Sequence, residues 1–440
     1  MKPLYFITYL VLKYTLRIYY PKRKIYNKIK GNKGSTIYVC NHAASFMDPL
    51  VFASISGRIV YFMTRSDVFT KLTNPFLRGL QMLPIYRKQD GEDTREKNEK
   101  VFHYCSKILR KKKNLLIFGE GFTDDIFIRR LKPVKKGAIR IGFQTLENIN
   151  WNQKISIAAA GINYSNPNKL GSELILSLSD KICLNDYQKE YKENPNKVIN
   201  QITKNIEKLM QEQITHVENK ELATLHENIM QISRKGLNAY SYDKNIPLEK
   251  RWDYSRKLAF WLNKENIEAN LDLKEMKEKS DLYFNLLKKI KINDQFVFWK
   301  KENQNGSRFK EIKSMIFFFP FAILGIIHCG LPYIIVKRFV ENSFRRKVFW
   351  ASVKMILGAM TIGIINIPII FFFYYFIFPN WILSFFYYLT IGITGLCAYL
   401  FIKNLKDFVL KGKIKKTNLS EAIKRRDELK KIIDLKVPIS

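Results

Sequence analysis

The chain reads as an α/β domain with a central sheet flanked by helices, followed by a helical insertion and C-terminal transmembrane helices. Three observations predict this. The β-branched and aromatic run Ser35–Cys40 and the apolar run Leu115–Phe118 read as strands, and Glu96–Leu109 between them reads as a helix. Residues 218–310 read as amphipathic helices rich in Lys, Glu, Leu and Ile, with clear helical periodicity over Lys274–Lys291. Three uncharged runs then follow, Ser314–Val336, Met355–Phe378 and Trp381–Ile402, and each reaches the roughly 20 residues needed to cross a bilayer.

The expected divisions are 1–30, an N-terminal membrane-interfacial helix with a basic cluster; 31–217, the α/β domain; 218–310, the helical insertion; 311–404, the membrane domain; and 405–440, a basic cytoplasmic tail. In Met1–Tyr20, apolar Leu4, Ile7, Leu10 and Leu16 sit among Lys2, Lys13 and Arg17, and Lys22, Arg23, Lys24, Lys28 and Lys30 follow. Such a segment suits an anionic membrane surface, and an ordinary core helix with solvated lysines is the alternative. No cleavable signal peptide is expected, because Lys13 and Arg17 interrupt the apolar stretch.

Composition narrows the function classes. Hydrophobic residues make up 47% and aromatics 14%, which excludes intrinsic disorder. The 75 Lys and Arg against 39 Asp and Glu give a net charge of +36, and both halves are basic, so the excess is not one nucleic-acid-binding tail. No nucleic-acid motif appears. The mean hydropathy of −0.19 averages a polar part with a membrane part. Five scattered cysteines without a C-x-x-C pair argue against a disulfide scaffold or zinc site and fit a reducing compartment.

The basic residues also bear on sidedness. Lys337, Arg338, Arg345, Arg346, Lys347 and Lys354 separate the first two apolar runs, and Lys403, Lys406, Lys411, Lys413, Lys415 and Lys416 follow the third. The Pro379-Asn380 turn between runs two and three is uncharged and aromatic-rich, so these runs read as a hairpin with its turn outside. Run one contains Pro320, Pro332 and His328. A re-entrant or in-plane path for it is the preferred expectation, since it keeps every basic segment on the cytoplasmic face; a full span is the alternative.

The residues that carry chemistry lie in the α/β part. The Ser35–Cys40 strand runs into Asn41-His42, and Asp48 follows six residues after His42. On a regular helix that spacing is about 240°, so the pair meets only if His42 leaves the strand on a turn and Asp48 starts a helix. A carboxylate on one ring nitrogen fixes the tautomer and strengthens the other nitrogen as a base. The Leu115–Phe118 run opens into Gly119-Glu120-Gly121-Phe122-Thr123, where glycines let backbone amides approach a ligand. Lys132, Lys135 and Lys136 follow in a basic stretch. Gly79 leads to Arg87, and Ile155–Ala160 ends in Gly161-Ile162-Asn163-Tyr164. The remaining histidines, His103, His216, His226 and His328, lie outside these motifs.

Together and in this order, the motifs resemble the glycerolipid acyltransferase superfamily, which includes glycerol-3-phosphate and lysophosphatidic acid acyltransferases, over roughly residues 30 to 215. Asn41, His42 and Asp48 match its first block, Gly79 to Arg87 its second, Phe118 to Thr123 its third and Ala158 to Gly161 its fourth. The family's third-block proline is Gly119 here, and its fourth-block proline is absent. The resemblance implies an α/β acyltransferase domain in which His42 deprotonates a glycerol hydroxyl, Asp48 holds the imidazole, and no metal or redox cofactor takes part. Asn41, Arg87, Glu120, Gly121, Thr123, Lys132 and Lys135 are its implied substrate-binding residues, with Lys132 and Lys135 facing a phosphate or the acyl carrier. It implies an acyl-CoA or acyl carrier protein donor and a phosphate-bearing glycerolipid acceptor, while the apolar runs and their basic flanks lead to the expectation of a multi-pass membrane protein with the catalytic domain on the cytoplasmic face. Another lipid alcohol as acceptor, or an inactive acyltransferase-like scaffold, are the alternatives.

Overall fold

The computed structural model describes residues 3–26, 35–56, 60–86, 94–266, 269–302 and 309–438. The chain divides into two compact units, one of Met1–Pro167 with Glu173–Glu218, the other of Asn168–Ser172 with Asn219–Ser440.

The first unit runs α1 (Pro3–Tyr19), β1 (Lys22–Tyr26), β2 (Ser35–Cys40), α2 (Met47–Ile55), β3 (Val60–Arg65), α3 (Asn74–Gly79), β4 (Met82–Ile85), α4 (Thr94–Arg110), β5 (Asn114–Phe118), α5 (Gly137–Asn148), β6 (Ile155–Tyr164), β7 (Glu173–Cys183), α6 (Gln188–Glu193) and α7 (Pro195–Gln213). The described strands form one sheet in the order β1-β7-β6-β2-β5-β3-β4. Every pair is parallel except β6 and β7. β2 therefore lies in the middle, buried along its whole length, as its apolar composition requires of a central parallel strand. Side-chain alternation sends Ile37 and Val39 into the core built with α4, α5 and α7. Tyr38 goes to the opposite face and packs on Phe52 of α2, ring centroids 5.2 Å apart.

The strand expected at Ser35–Cys40 is β2, and Leu115–Phe118 is β5 with one residue added. The apolar run Ile155–Ala160 is also a strand, and β6 continues past it through Gly161-Ile162-Asn163-Tyr164. A Cβ at Gly161 would lie 2.1 Å from the Gln213 carbonyl oxygen, so only glycine lets the end of α7 close over this strand.

The second unit continues with α8 (Lys220–Ser233), α9 (Leu248–Lys264), α10 (Leu271–Lys289), α11 (Asp294–Lys301), α12 (Phe309–Ser343), α13 (Trp350–Ile365), α14 (Ile367–Phe376), α15 (Trp381–Lys416) and α16 (Ser420–Lys436). Three segments are long and apolar enough to cross a membrane: Glu311–Ser343, Lys347–Phe376 and Trp381–Lys413. The chain after α15 is a helix packed against α8 and α10. Its buried Arg426 donates to both oxygens of buried Asp294, at 2.7 and 3.3 Å.

The apolar segments depart from one expectation. Run one does not bend back: α12 is one 35-residue helix with Pro320 and Pro332 inside it. Proline is tolerated there because neighbouring helices re-satisfy the freed backbone groups. α12 and α15 run antiparallel, with Glu311 paired to Lys411 at 2.9 Å, Ser314 to Asn404 at 2.7 Å, and Gly325 against the Thr394 carbonyl. The break comes in run two, at Asn366, which caps the Ile362 carbonyl and bonds His328 of α12 through both its amide groups. Had the helix continued, Phe373 and Tyr374 would lie about 10–12 Å further toward the Glu311 end of α12. Instead Phe373 stacks on Tyr387 at 4.9 Å and Tyr374 on Trp381 at 4.0 Å, beside the first turns of α15. Run two thus breaks at Asn366, and α14 packs its aromatic rings beside the first turns of α15. The physical reason is Pro368: in the first turn of α14 it needs no N–H partner, and it starts a new helix where the old one ended.

Candidate active site

The carboxyl ends of β2, β5 and β6 lie side by side, with Cys40 paired to Phe118 on one side and to Ala160 on the other. In parallel sheets this edge is where ligands bind. Each of the three strands leads into or ends in one of the sequence motifs.

After β2 the chain turns through Ala43 and Ala44. Ser45 adopts a left-handed φ of 52°, and Met47 and Asp48 N–H donate to the carbonyls of Ala44 and Ser45, both at 3.1 Å. This turn starts α2 and folds Asp48 back toward His42. His42 Nδ1 lies 3.0 Å from Asp48 Oδ2, which also accepts the Ala44 N–H at 2.9 Å. An ionised carboxylate only accepts, so Nδ1 carries the proton and the Nε2 lone pair is the basic site. The His42 ring stacks on Phe118 at 4.1 Å and keeps 20% of its side chain exposed, whereas Asp48 is fully buried.

Glu120 is buried, and its oxygens are engaged by backbone. Oε1 accepts the His42 N–H at 2.6 Å and Oε2 accepts the Lys132 N–H at 3.2 Å. Burial pushes its carboxyl above the ordinary range, and those two amide bonds pull it back. It therefore ties the backbone of His42 to that of the basic loop. Asn41 is likewise engaged: its amide oxygen accepts the Ile162 N–H at 2.8 Å and its amide nitrogen donates to the Ile162 carbonyl at 3.2 Å.

The Gly-Glu-Gly turn has a separate requirement at each glycine. Gly119 donates its N–H to the Cys40 carbonyl at 3.1 Å, extending the β2–β5 pairing in a way the family's proline has no hydrogen to do. Gly121 has a φ of +76°, and a Cβ there would lie 2.8 Å from Lys135 Nζ. Lys135 thus reaches over the turn, and Thr123, two residues on, is buried. Lys132 is drawn aside, paired to Asp124 at 3.1 Å and lying 3.9 Å over the Phe122 ring.

The basic loop is held along its backbone. The Arg129 carbonyl accepts Val217 N–H at 2.8 Å, Leu131 N–H donates to His216 Nδ1 at 3.0 Å, Val134 N–H to Glu207 at 2.8 Å, and Lys135 N–H to the Gly119 carbonyl at 2.9 Å. Burial lowers the His216 pKa, which keeps Nδ1 available as that acceptor. His216 and Glu207 carry no motif in the sequence, and 70 to 90 residues separate them from their partners.

Arg87 lies outside the described residues. The chain leading to it is fixed by Asn98 of α4, which accepts the Tyr86 N–H at 3.1 Å and donates to the Tyr86 carbonyl at 2.8 Å. The structure also brings in Tyr164, whose hydroxyl donates to Asp48 Oδ1 at 2.8 Å. No group of three or more His, Cys, Asp or Glu among the described residues is placed to hold a metal ion.

A solved structure similar to the chain is that of the 1-acyl-sn-glycerophosphate (LPA) acyltransferase, PlsC, from Thermotoga maritima, at 13% identity and a TM-score of 0.31, over 46% of this chain and 78% of that one. No curated protein matches the chain. Residues 20–162 match the family model described as Acyltransferase, and this span contains His42, Asp48, Glu120 and Lys135. Residues 20–162 are thus similar to acyltransferase domains.

Proposed function

We propose that the chain is a membrane-bound O-acyltransferase of phospholipid synthesis. It moves a fatty acyl group from an acyl thioester, acyl-CoA or acyl carrier protein, to a hydroxyl of 1-acylglycerol 3-phosphate or glycerol 3-phosphate. The observation that carries this is the 3.0 Å His42–Asp48 pair at the carboxyl end of the sheet, beside a cationic Lys135 folded over a glycine turn.

His42 Nε2 takes the proton of the acceptor hydroxyl as its oxygen attacks the thioester carbonyl. The new C–O bond forms, the C–S bond breaks, and the proton passes from the imidazolium to the leaving thiolate. General-base assistance of this kind contributes about 10²- to 10⁴-fold. Lys135, the Gly121 turn and Thr123 are the groups proposed to receive the phosphate, together with Arg87, whose fork suits a phosphate. Lys132 contributes less charge, because Asp124 neutralises it.

Membrane attachment is supported twice. In the second unit, three apolar segments are long enough to span. In the first, Phe6, Ile7, Leu10, Val11 and Tyr14 form one exposed face of α1, while Tyr5 and Leu16 are buried on the other. That face is proposed to lie in the head-group region of an anionic membrane.

The test is transfer from labelled acyl-CoA by the purified full-length chain to acceptors with and without a phosphate. Product with 1-acylglycerol 3-phosphate or glycerol 3-phosphate, and little with monoacylglycerol, is expected. Equal transfer to monoacylglycerol would remove phosphate recognition from the account and favour another lipid alcohol.

A further inference from the structure

We propose that Tyr164 is a positioning residue for the His42–Asp48 pair, its hydroxyl holding the Asp48 oxygen that His42 does not use. The proposal rests on the acyl-transfer reading above and deepens it.

Both oxygens of Asp48 are buried. Oδ2 is shared by His42 Nδ1 and the Ala44 N–H, and Oδ1 receives the Tyr164 hydroxyl at 2.8 Å. A carboxylate held by one oxygen is free to rotate about its Cβ–Cγ bond, and the imidazole it orients turns with it. Tyr164 removes that freedom, because its own position is fixed. It is the last residue of β6 and fully buried, its ring is 5.6 Å from Tyr20 and 6.4 Å from Phe127, and its carbonyl accepts from Arg129 at 2.8 Å. Two residues earlier, Ile162 has both backbone groups bound by Asn41, the neighbour of His42. The end of β6 thus holds the first motif at two points, one through backbone and one through the phenol.

The groups facing the pair are few. Tyr20 from α1 and Cys40 from β2 lie near Asp48, and Glu120 lies near His42. The Tyr20 hydroxyl is directed to the Pro167 carbonyl at 2.9 Å, so it does not substitute for Tyr164. Donation from the phenol draws negative charge away from the side of Asp48 that meets His42. Its loss concentrates charge on that side, stabilises the imidazolium, and moves the acidic limb of the pH–rate profile to higher pH.

The experiment uses the full chain with labelled acyl-CoA and 1-acylglycerol 3-phosphate. Tyr164→Phe keeps the ring and removes the donor. Its kcat is expected to fall about tenfold with KM for the acceptor within about twofold, and the acidic limb to move up. Tyr20→Phe makes the same chemical change in the same aromatic cluster and is expected to leave the limb in place. Tyr164→3-fluorotyrosine keeps the fold and makes the phenol a stronger donor, so its limb is expected to move down, a readout that survives if the phenylalanine variant fails to fold. A wild-type kcat and limb in Tyr164→Phe, or an unmoved limb with 3-fluorotyrosine, would overturn the proposal. His42→Ala separates the two levels: if it is inactive while the Tyr164 variants behave as wild type, positioning alone fails, and if it is active, the acyl-transfer reading fails.

Discussion

Glu120 shows how far a single residue is legible from sequence. Its place between two glycines after a strand marks the site, yet nothing local says whether the carboxylate faces a ligand or the protein. The answer depends on backbone amides 78 and 12 residues away, at His42 and Lys132. Glu120→Gln tests it. The amide keeps one accepting oxygen but turns an NH₂ toward one of those N–H groups. A buried donor left unsatisfied costs about 1–3 kcal/mol. The variant is expected to melt earlier and to lose transfer at least about tenfold, because His42 and Lys132 are no longer held by one group. Wild-type melting and activity would show that the two amides do not depend on Glu120. Tyr164 was written in the sequence beside Gly161 without a sign of its role, because only the sheet register brings the end of β6 against the start of α2.

At the scale of elements, β2, β5 and α4 are legible because each is specified locally, whereas β1, β3, β4 and β7 give no such signal. β-Branched residues make β2, alternation divides its two faces, and the small residues after it permit the turn that returns Asp48 to His42. The membrane segments are less legible, because length and apolarity do not distinguish a span from a broken helix. Pro320 and Pro332 draw attention to run one, yet both are absorbed within α12, whereas Pro368 lies in the first turn of a new helix. The resulting geometry predicts sidedness. Single-cysteine labelling is expected to reach Phe344→Cys and Asn380→Cys from one side of the membrane and Thr417→Cys from the other, in a background lacking the five native cysteines. Labelling of positions 344 and 380 from opposite sides would show that run two crosses.

For the whole molecule, the charge of +36 is legible in direction but not in destination. In the catalytic unit, the basic loop it feeds is fixed by five backbone hydrogen bonds, and one lysine is folded over the Gly121 turn. In the other unit, Arg426 leaves the surface altogether to pair with Asp294, 132 residues away, which makes the segment expected as a basic tail part of a helical core. Such pairings between distant elements have no local sequence signal. The central claim, that His42 is the base of an acyl transfer, is tested most directly by His42→Ala in the full-length chain, with labelled acyl-CoA and 1-acylglycerol 3-phosphate. A loss of at least about 10²-fold in kcat with an unchanged melting temperature is the predicted result; transfer at the wild-type rate would contradict it.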